Sequence, residues 1–198
     1  AAAVGAALGG DGPVLTAMSP ADHLDVLAFH RRIDGLDDVG AEQVHAVLGP
    51  GLRALRRPEP PPTRGVVHLF VGGGWYAYDL AHTGRAADEP GSNAPEPAAS
   101  LDAARAELEV IRPLRELAAD ADAVTVVPVP ATAGITALER PGAIGLALHP
   151  PGVEQVMAVA EAGQVMPYKS TYLVPKLRSG VVVVPRTDAA PDTVRAVR

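Results

Sequence analysis

The residues best suited to chemistry lie in a polar run near the C-terminal end of the chain. The candidate ligand-binding residues of this run are Lys169, Ser170, Thr171, Tyr172 and Lys176. Ammonium groups and hydroxyls on a turn suit a phosphate or carboxylate ligand. In the alternative interpretation, this is a solvated turn whose Ser and Thr bond the local backbone. We favour ligand binding, because Met166, Tyr168 and Tyr172 would give the loop an apolar underside.

A short amphipathic helix should hold this loop in place from its N-terminal side. Apolar residues fall at i, i+3, i+4 and i+7 over Val153, Val156, Met157 and Ala160. This stripe predicts that Met157 belongs to the core. Gly163 suits the left-handed position after a helix, and the following proline prevents the helix from resuming.

Two further clusters carry charge. His30 and Arg31, with Arg32, close the apolar strand predicted at 26–33, where basic side chains can bind an anion. Ordinary charges that protect an edge strand are the alternative. Glu154, with Gln155, lies in the first turn of the predicted helix, where a carboxylate complements the helix dipole.

Familiar catalytic motifs are absent from the sequence. There is no Gly-x-Ser-x-Gly elbow, no Walker-type glycine loop, no Gly-x-Gly-x-x-Gly and no His-Glu-x-x-His. The six histidines have no metal-ligand spacing, and the absence of cysteine excludes disulfides and thiolate metal sites. The catalytic residues are therefore unknown at this stage, and no protein-built metal site is predicted.

Composition narrows the class of protein. The chain has 198 residues, 47% of them hydrophobic, and a net charge of -6, which gives no support to nucleic-acid binding. No apolar run approaches the roughly 20 residues of a membrane span. We therefore expect a cytoplasmic protein without a nucleic-acid or membrane partner. The polar run indicates a small anionic or phosphorylated molecule as the ligand, and we expect either a homo-oligomer or a missing N-terminal region.

The order of predicted elements indicates an α+β or mixed α/β fold, with a mixed sheet, flanking helices and a β-hairpin. The hairpin is predicted over 66–71 and 75–80, joined through three glycines. A helix is predicted over 101–117, with Pro113 expected to kink or split it. The segment 82–100 is rich in Gly, Pro and acidic residues and is predicted to be a flexible loop.

Several segments resemble a known family, catalogued as domain of unknown function 1015. The most specific match is the C-terminal signature in Pro151–Met157, Met166–Tyr172 and Pro175–Gly180. Weaker similarity covers Phe29–Arg31, Leu36–Val47 and Gly73–Tyr76. The family usually begins with a further region containing Asp-Gly-His-His-Arg, similar to a motif of the ParB/sulfiredoxin-like fold. The resemblance implies that residues 1–198 form a single α/β domain, the C-terminal part of a longer one.

The same resemblance implies a function. Some relatives of that fold are free-serine kinases, so the chain resembles a small-molecule phosphotransferase that uses Mg²⁺ and a nucleotide or pyrophosphate donor. Lys169 and Lys176 would neutralise phosphate oxygens, and Ser170 and Thr171 would donate hydrogen bonds. A non-catalytic ligand-binding or regulatory protein using the same loop is the rival hypothesis. A structural half-domain that completes another chain is the third.

Overall fold

The computed structural model describes residues 20, 23–80 and 96–176. The chain divides into two compact units, and Val26–Leu173 forms the larger one. Within the described residues, no helix is both long and apolar enough to cross a membrane. Most of the predicted flexible loop lies outside these ranges. The single-domain interpretation stays a prediction.

A six-stranded antiparallel sheet is the centre of the larger unit. Its strands, in chain order, are β2 (Phe29–Asp34), β3 (Arg53–Leu55), β4 (Val66–Val71), β5 (Gly74–Asp79), β6 (Thr125–Pro130) and β7 (Ile144–Leu148). Their order across the sheet is β3-β5-β4-β7-β2-β6. A separate two-stranded sheet pairs β1 (Asp25–Leu27) with β8 (Tyr172–Val174).

The helical segments are short and partly irregular. They are α1 (Ala41–Leu48), α2 (Asp102–Ala106), α3 (Arg112–Arg115) and α4 (Val153–Glu161). A π-helical turn, Glu107–Ile111, joins α2 directly to α3. Pro113 explains this break, because proline lacks an N–H and its ring collides with the carbonyl one turn earlier. The predicted helix at 101–117 therefore exists but is split, as Pro113 led us to expect.

Side-chain alternation along the strands divides the core between the two faces of the sheet. On one face, Ile33, Leu69 and Leu146 belong to a buried cluster with Val110 and Leu114 of the helical segment. The other face carries a smaller cluster that includes Trp75, Val129 and Leu138, the last from a 3₁₀ turn. Helices and 3₁₀ turns flanking an antiparallel sheet confirm the α+β form of the predicted fold class.

The hairpin is confirmed, with a tighter turn than its three glycines suggest. Strands β4 and β5 pair from Val66 opposite Asp79 to Val71 opposite Gly74. The turn is therefore made by Gly72 and Gly73 alone, with φ of 58° and 81°. Two consecutive positive φ values are the signature of a tight hairpin turn that suits the twist of the strands. These glycines serve backbone geometry, and the third already belongs to β5.

The predicted core position of Met157 is wrong. Helix α4 forms as predicted, but its one fully buried residue is Val159, whereas Met157 is 53% exposed. The face that packs on the protein contains Val153, Val156 and Val159, which are spaced three residues apart. Met157, four residues after Val153, lies outside this face. The spacing of apolar residues identified the helix. It did not identify the rotation of the helix about its own axis, which decides which apolar side chains are covered.

Candidate functional site

Arg31 fixes the loop that sequence analysis identified as a binding loop. Strand β2 pairs with β6 on one side and β7 on the other, so the edge-strand interpretation of its charges is wrong. Arg31 lies two residues from Ile33 and shares its helix-covered face, where the arginine is 7% exposed. Its guanidinium donates to the carbonyl oxygens of Tyr168 at 2.8 Å and Lys169 at 3.1 Å. Arg31 therefore holds the backbone of the loop.

The restrained backbone is conformationally unusual at Lys169. Its φ is 49°, in the left-handed region that few non-glycine residues adopt. Such a conformation persists when surrounding contacts enforce it, and the Arg31 hydrogen bonds do so here. The Lys169 ammonium nitrogen lies 5.5 Å from the centroid of the Phe29 ring. The Tyr172 ring meets the same Phe29 ring edge-on, with centroids 5.5 Å apart. Both predicted residues are thus anchored on β2.

Ser170 occupies the centre of a small enclosed space. The residue is 5% exposed, and its Oγ has no hydrogen-bond partner among the described residues. It lines a cavity of about 10 Å³. The polar side chains around this cavity, hereafter the polar cavity, belong to Arg64, Asp102, His149, Gln155 and Ser170. Its size matches a single water molecule, so a larger ligand group would lie at its mouth. A buried hydroxyl without a partner favours occupancy by a hydrogen-bonding group.

Arg64 supplies the positive charge of the polar cavity. It forms an ion pair with Glu154, in the first turn of α4, and both side chains are about half-exposed or more. The hydrogen bond from Arg64 lowers the pKa of the Glu154 carboxyl. A Cβ at Gly152 would meet the ends of both side chains, which would then have to shift. Arg64 can therefore exchange this solvent-accessible carboxylate for an incoming anion.

Asp102 is the half-buried acid of the polar cavity. Both its oxygens accept a hydrogen bond from the backbone N–H of Gly65, at 3.0 Å and 2.9 Å. Burial raises the pKa of its carboxyl, while the Gly65 hydrogen bond and the nearby side chains of Arg105, His149 and Arg64 oppose that rise. Sequence analysis placed Asp102 in a first helical turn and missed this role. Its position directly after the buried Leu101 was the available signal.

His149 and Ser170 are not assembled as a base and a nucleophile. The Nδ1 of His149 lies 2.8 Å from the carbonyl oxygen of Pro150, so Nδ1 carries the proton and donates it to that oxygen. A Ser–His–Asp mechanism requires the hydroxyl to donate to the imidazole. Ser170 Oγ makes no such bond within the described part of the chain. The cluster therefore fits ligand binding better than nucleophilic catalysis.

His30 supports the strand and does not line the polar cavity. It is 3% exposed, and its Nδ1 accepts a hydrogen bond of 3.2 Å from the backbone N–H of Leu148. Burial, followed by the charge of Arg31, lowers the pKa of His30 to about 4. The imidazole is therefore neutral at physiological pH, with its proton on Nε2. Its direct contact with a ligand stays a prediction.

The remaining predicted residues are placed differently. Thr171 is half-buried, next to Ser170. Lys176 is exposed and belongs to the smaller unit, so it is described apart from the polar cavity. Over residues 23–80 and 96–176, no group of three or more His, Asp or Glu side chains could hold a metal ion. The Mg²⁺ that the resemblance implies stays a prediction.

No protein-family model and no curated protein sequence matches the chain. Among solved structures, it is similar to a mutant free serine kinase in complex with ADP, with 16% identity, a TM-score of 0.43 and 78% of this chain covered. It is similarly related to a mutant free serine kinase in complex with AMP, with 17% identity, 78% coverage and a TM-score of 0.41. The chain spans 55% of the length of each of these proteins.

Proposed function

We propose that the phosphate group of a small metabolite binds at the mouth of the polar cavity, and that the chain is part of a small-molecule phosphotransferase. The observation that carries this proposal is Ser170 Oγ, which is buried without a hydrogen-bond partner among the described residues and lines the same cavity as Arg64. A hydroxyl donor and a guanidinium together suit one phosphate group at the mouth of a small cavity. The N-terminal turn of α4 adds favourable partial charge at the same place.

The proposed site assigns three roles to its side chains. Arg64 and Lys169 neutralise phosphate oxygens, and Ser170 donates a hydrogen bond. A hydroxyl oxygen of the substrate attacks the terminal phosphorus of a nucleotide or pyrophosphate donor, the bond from phosphorus to the bridging oxygen breaks, and Asp102 accepts the hydroxyl proton. Partial burial raises the pKa of this carboxyl, which makes it a stronger proton acceptor than an exposed carboxylate. Phosphoryl transfer otherwise requires mainly positioning and charge stabilisation.

Anion binding is tested with three variants whose effects differ in sign. Titration calorimetry would measure binding of phosphate, pyrophosphate and phosphoserine. Arg64→Ala and Ser170→Ala should each weaken binding by about tenfold. Glu154→Gln should strengthen it, because it removes the carboxylate that competes for Arg64. Arg53→Ala is the matched control, since Arg53 is also exposed and paired with a carboxylate, that of Asp79.

Weaker binding by Glu154→Gln, or equal losses in Arg64→Ala and Arg53→Ala, would contradict the proposal. Turnover is a separate test, with serine as acceptor and ATP, ADP or pyrophosphate as donor. Asp102→Asn should abolish turnover while phosphate binding persists.

A non-catalytic ligand-binding protein is the second candidate. The observation that favours it is that both carboxylate oxygens of Asp102 accept a hydrogen bond from the Gly65 N–H. A carboxylate bonded to the backbone in this way is less available to accept a proton from a substrate. Phosphate binding that depends on Arg64, without turnover in the wild-type chain, would support this candidate.

A further inference from the structure

A second concave surface includes Arg31 in its lining and shares Ala103 with the lining of the polar cavity. Its volume is about 580 Å³, within the range of small-molecule sites. Its walls come from the helical segment 99–115, strand β6 and the end of the binding loop at Pro167 and Tyr168. The residues that carry the argument are Arg31, Ala104, Glu107, Leu108, Arg115 and Tyr168. We call this surface the apolar groove.

The π-helical turn forms one wall of the apolar groove. Glu107 and Leu108 are its first two residues, and both line the groove. A π turn adds a residue to the helical cycle and redirects the side chains within it, which is why such turns recur at functional sites. Leu108 is left half-exposed and Tyr168 is 77% exposed at the rim. These apolar side chains provide a surface for a hydrocarbon body.

The charges of the groove are unequal. Arg115 lines the groove, and the N–H groups of its guanidinium can donate to a ligand oxygen. Its Nε is buried and has no hydrogen-bond partner within the described ranges. Arg31 also lines the groove. The hydrogen bonds described for its guanidinium go to backbone carbonyl oxygens, which do not neutralise its charge. Glu107 is the acidic side chain of the lining. Two guanidinium groups and one carboxylate leave an excess of one positive charge.

We propose that the apolar groove binds an amphipathic monocarboxylate, whose carboxylate contacts Arg115 and whose hydrocarbon body covers Leu108, Val126 and Pro128. The single negative charge of a monocarboxylate matches the excess of one positive charge in the groove. A phosphate dianion exceeds it and would face an apolar lining poorly suited to its hydration. Arg115 is the specific contact, since a guanidinium recognises a carboxylate through two parallel hydrogen bonds.

Octanoate is a suitable probe, with binding followed by titration calorimetry and by amide chemical shifts. We expect saturable binding with a Kd below about 1 mM, and a loss of about tenfold in Arg115→Met. Arg112→Met is the matched control, because Arg112 is exposed on the same helix α3 and does not line the groove. Octanol, which has the same chain without the charge, should bind more weakly than octanoate.

A second variant keeps the test informative if Arg115→Met does not fold. Ala104→Trp fills the groove from the helical wall and should abolish octanoate binding, whereas phosphate binding at the polar cavity should remain. Conversely, Arg64→Ala should leave octanoate binding unchanged. Octanoate binding that survives Ala104→Trp, that falls equally in Arg112→Met, or that is absent from the wild-type chain would overturn the proposal.

Discussion

The polar cavity and the apolar groove share one loop but differ in size and composition. The first encloses about 10 Å³ around Ser170, and the second about 580 Å³ beside Arg115. Each contains one buried polar atom without a partner among the described residues. The cavity has room for one chemical group, whereas the groove has room for a whole small molecule. A single loop, held by Arg31, can therefore contribute to two recognition surfaces of different chemistry.

Arg31 should be the substitution that affects both surfaces most. Arg31→Met removes two charge-assisted hydrogen bonds that hold the carbonyls of Tyr168 and Lys169, at a cost on the order of 4 kcal/mol. Lys169 would then leave its left-handed conformation. Chemical denaturation measures the loss, and octanoate and phosphate titrations should both weaken. Loss of one ligand with the other unaffected would show that the two surfaces do not depend on the same loop anchor.

His30 should make the free energy of unfolding depend on pH, although it lines neither the polar cavity nor the apolar groove. Its folded pKa of about 4 lies below the unfolded value of 6.5, so the unfolded chain binds more protons between these values. Stability should therefore fall as pH drops from 6.5 towards 4, by about 3 kcal/mol in total. Denaturation of wild type and His30→Phe across this range should show a much smaller slope in the variant. His45→Phe is the control, and an unchanged slope in His30→Phe would assign the acid sensitivity elsewhere.

Helix α4 contains one buried and one exposed apolar residue, Val159 and Met157, whose contributions to stability can be compared. Val159→Ala should destabilise the fold by about 2 kcal/mol, because the side chain is buried. Met157→Ala should change the free energy of unfolding by less than about 0.5 kcal/mol, since Met157 is largely exposed. Denaturant midpoints measure both values. A large loss for Met157→Ala would mean that this residue is covered in solution by another surface.

Ser170 should have the smallest effect on stability, although we place it at the centre of the proposed binding site. Ser170→Ala removes a buried hydroxyl that has no partner in the described structure, so the folded state should be unchanged or slightly more stable. Thermal unfolding without ligand tests this expectation. Destabilisation by more than about 1 kcal/mol would indicate that the hydroxyl has a structural hydrogen bond to water or to the protein.

Local patterns in the sequence were sufficient for individual elements. The run of three glycines predicted the hairpin although not its two-residue turn, Pro113 predicted the split helix, and Gly163 predicted the left-handed residue after α4, where φ is 67°. These features depend on backbone geometry within a few residues, which the sequence encodes directly. The polar run around Ser170 was also visible, because hydroxyl and ammonium side chains are concentrated there.

Tertiary structure decided the rest, because it depends on contacts between residues far apart in the chain. Arg31 holds a loop 137 and 138 residues away, which no local pattern could reveal. Arg64 and Asp102 join Ser170 at one cavity only because the sheet and the helical segments bring three distant regions together. The rotation of α4, which exposes Met157, is likewise set by packing. The sequence by itself determined which groups were available, whereas the fold determined which of them meet.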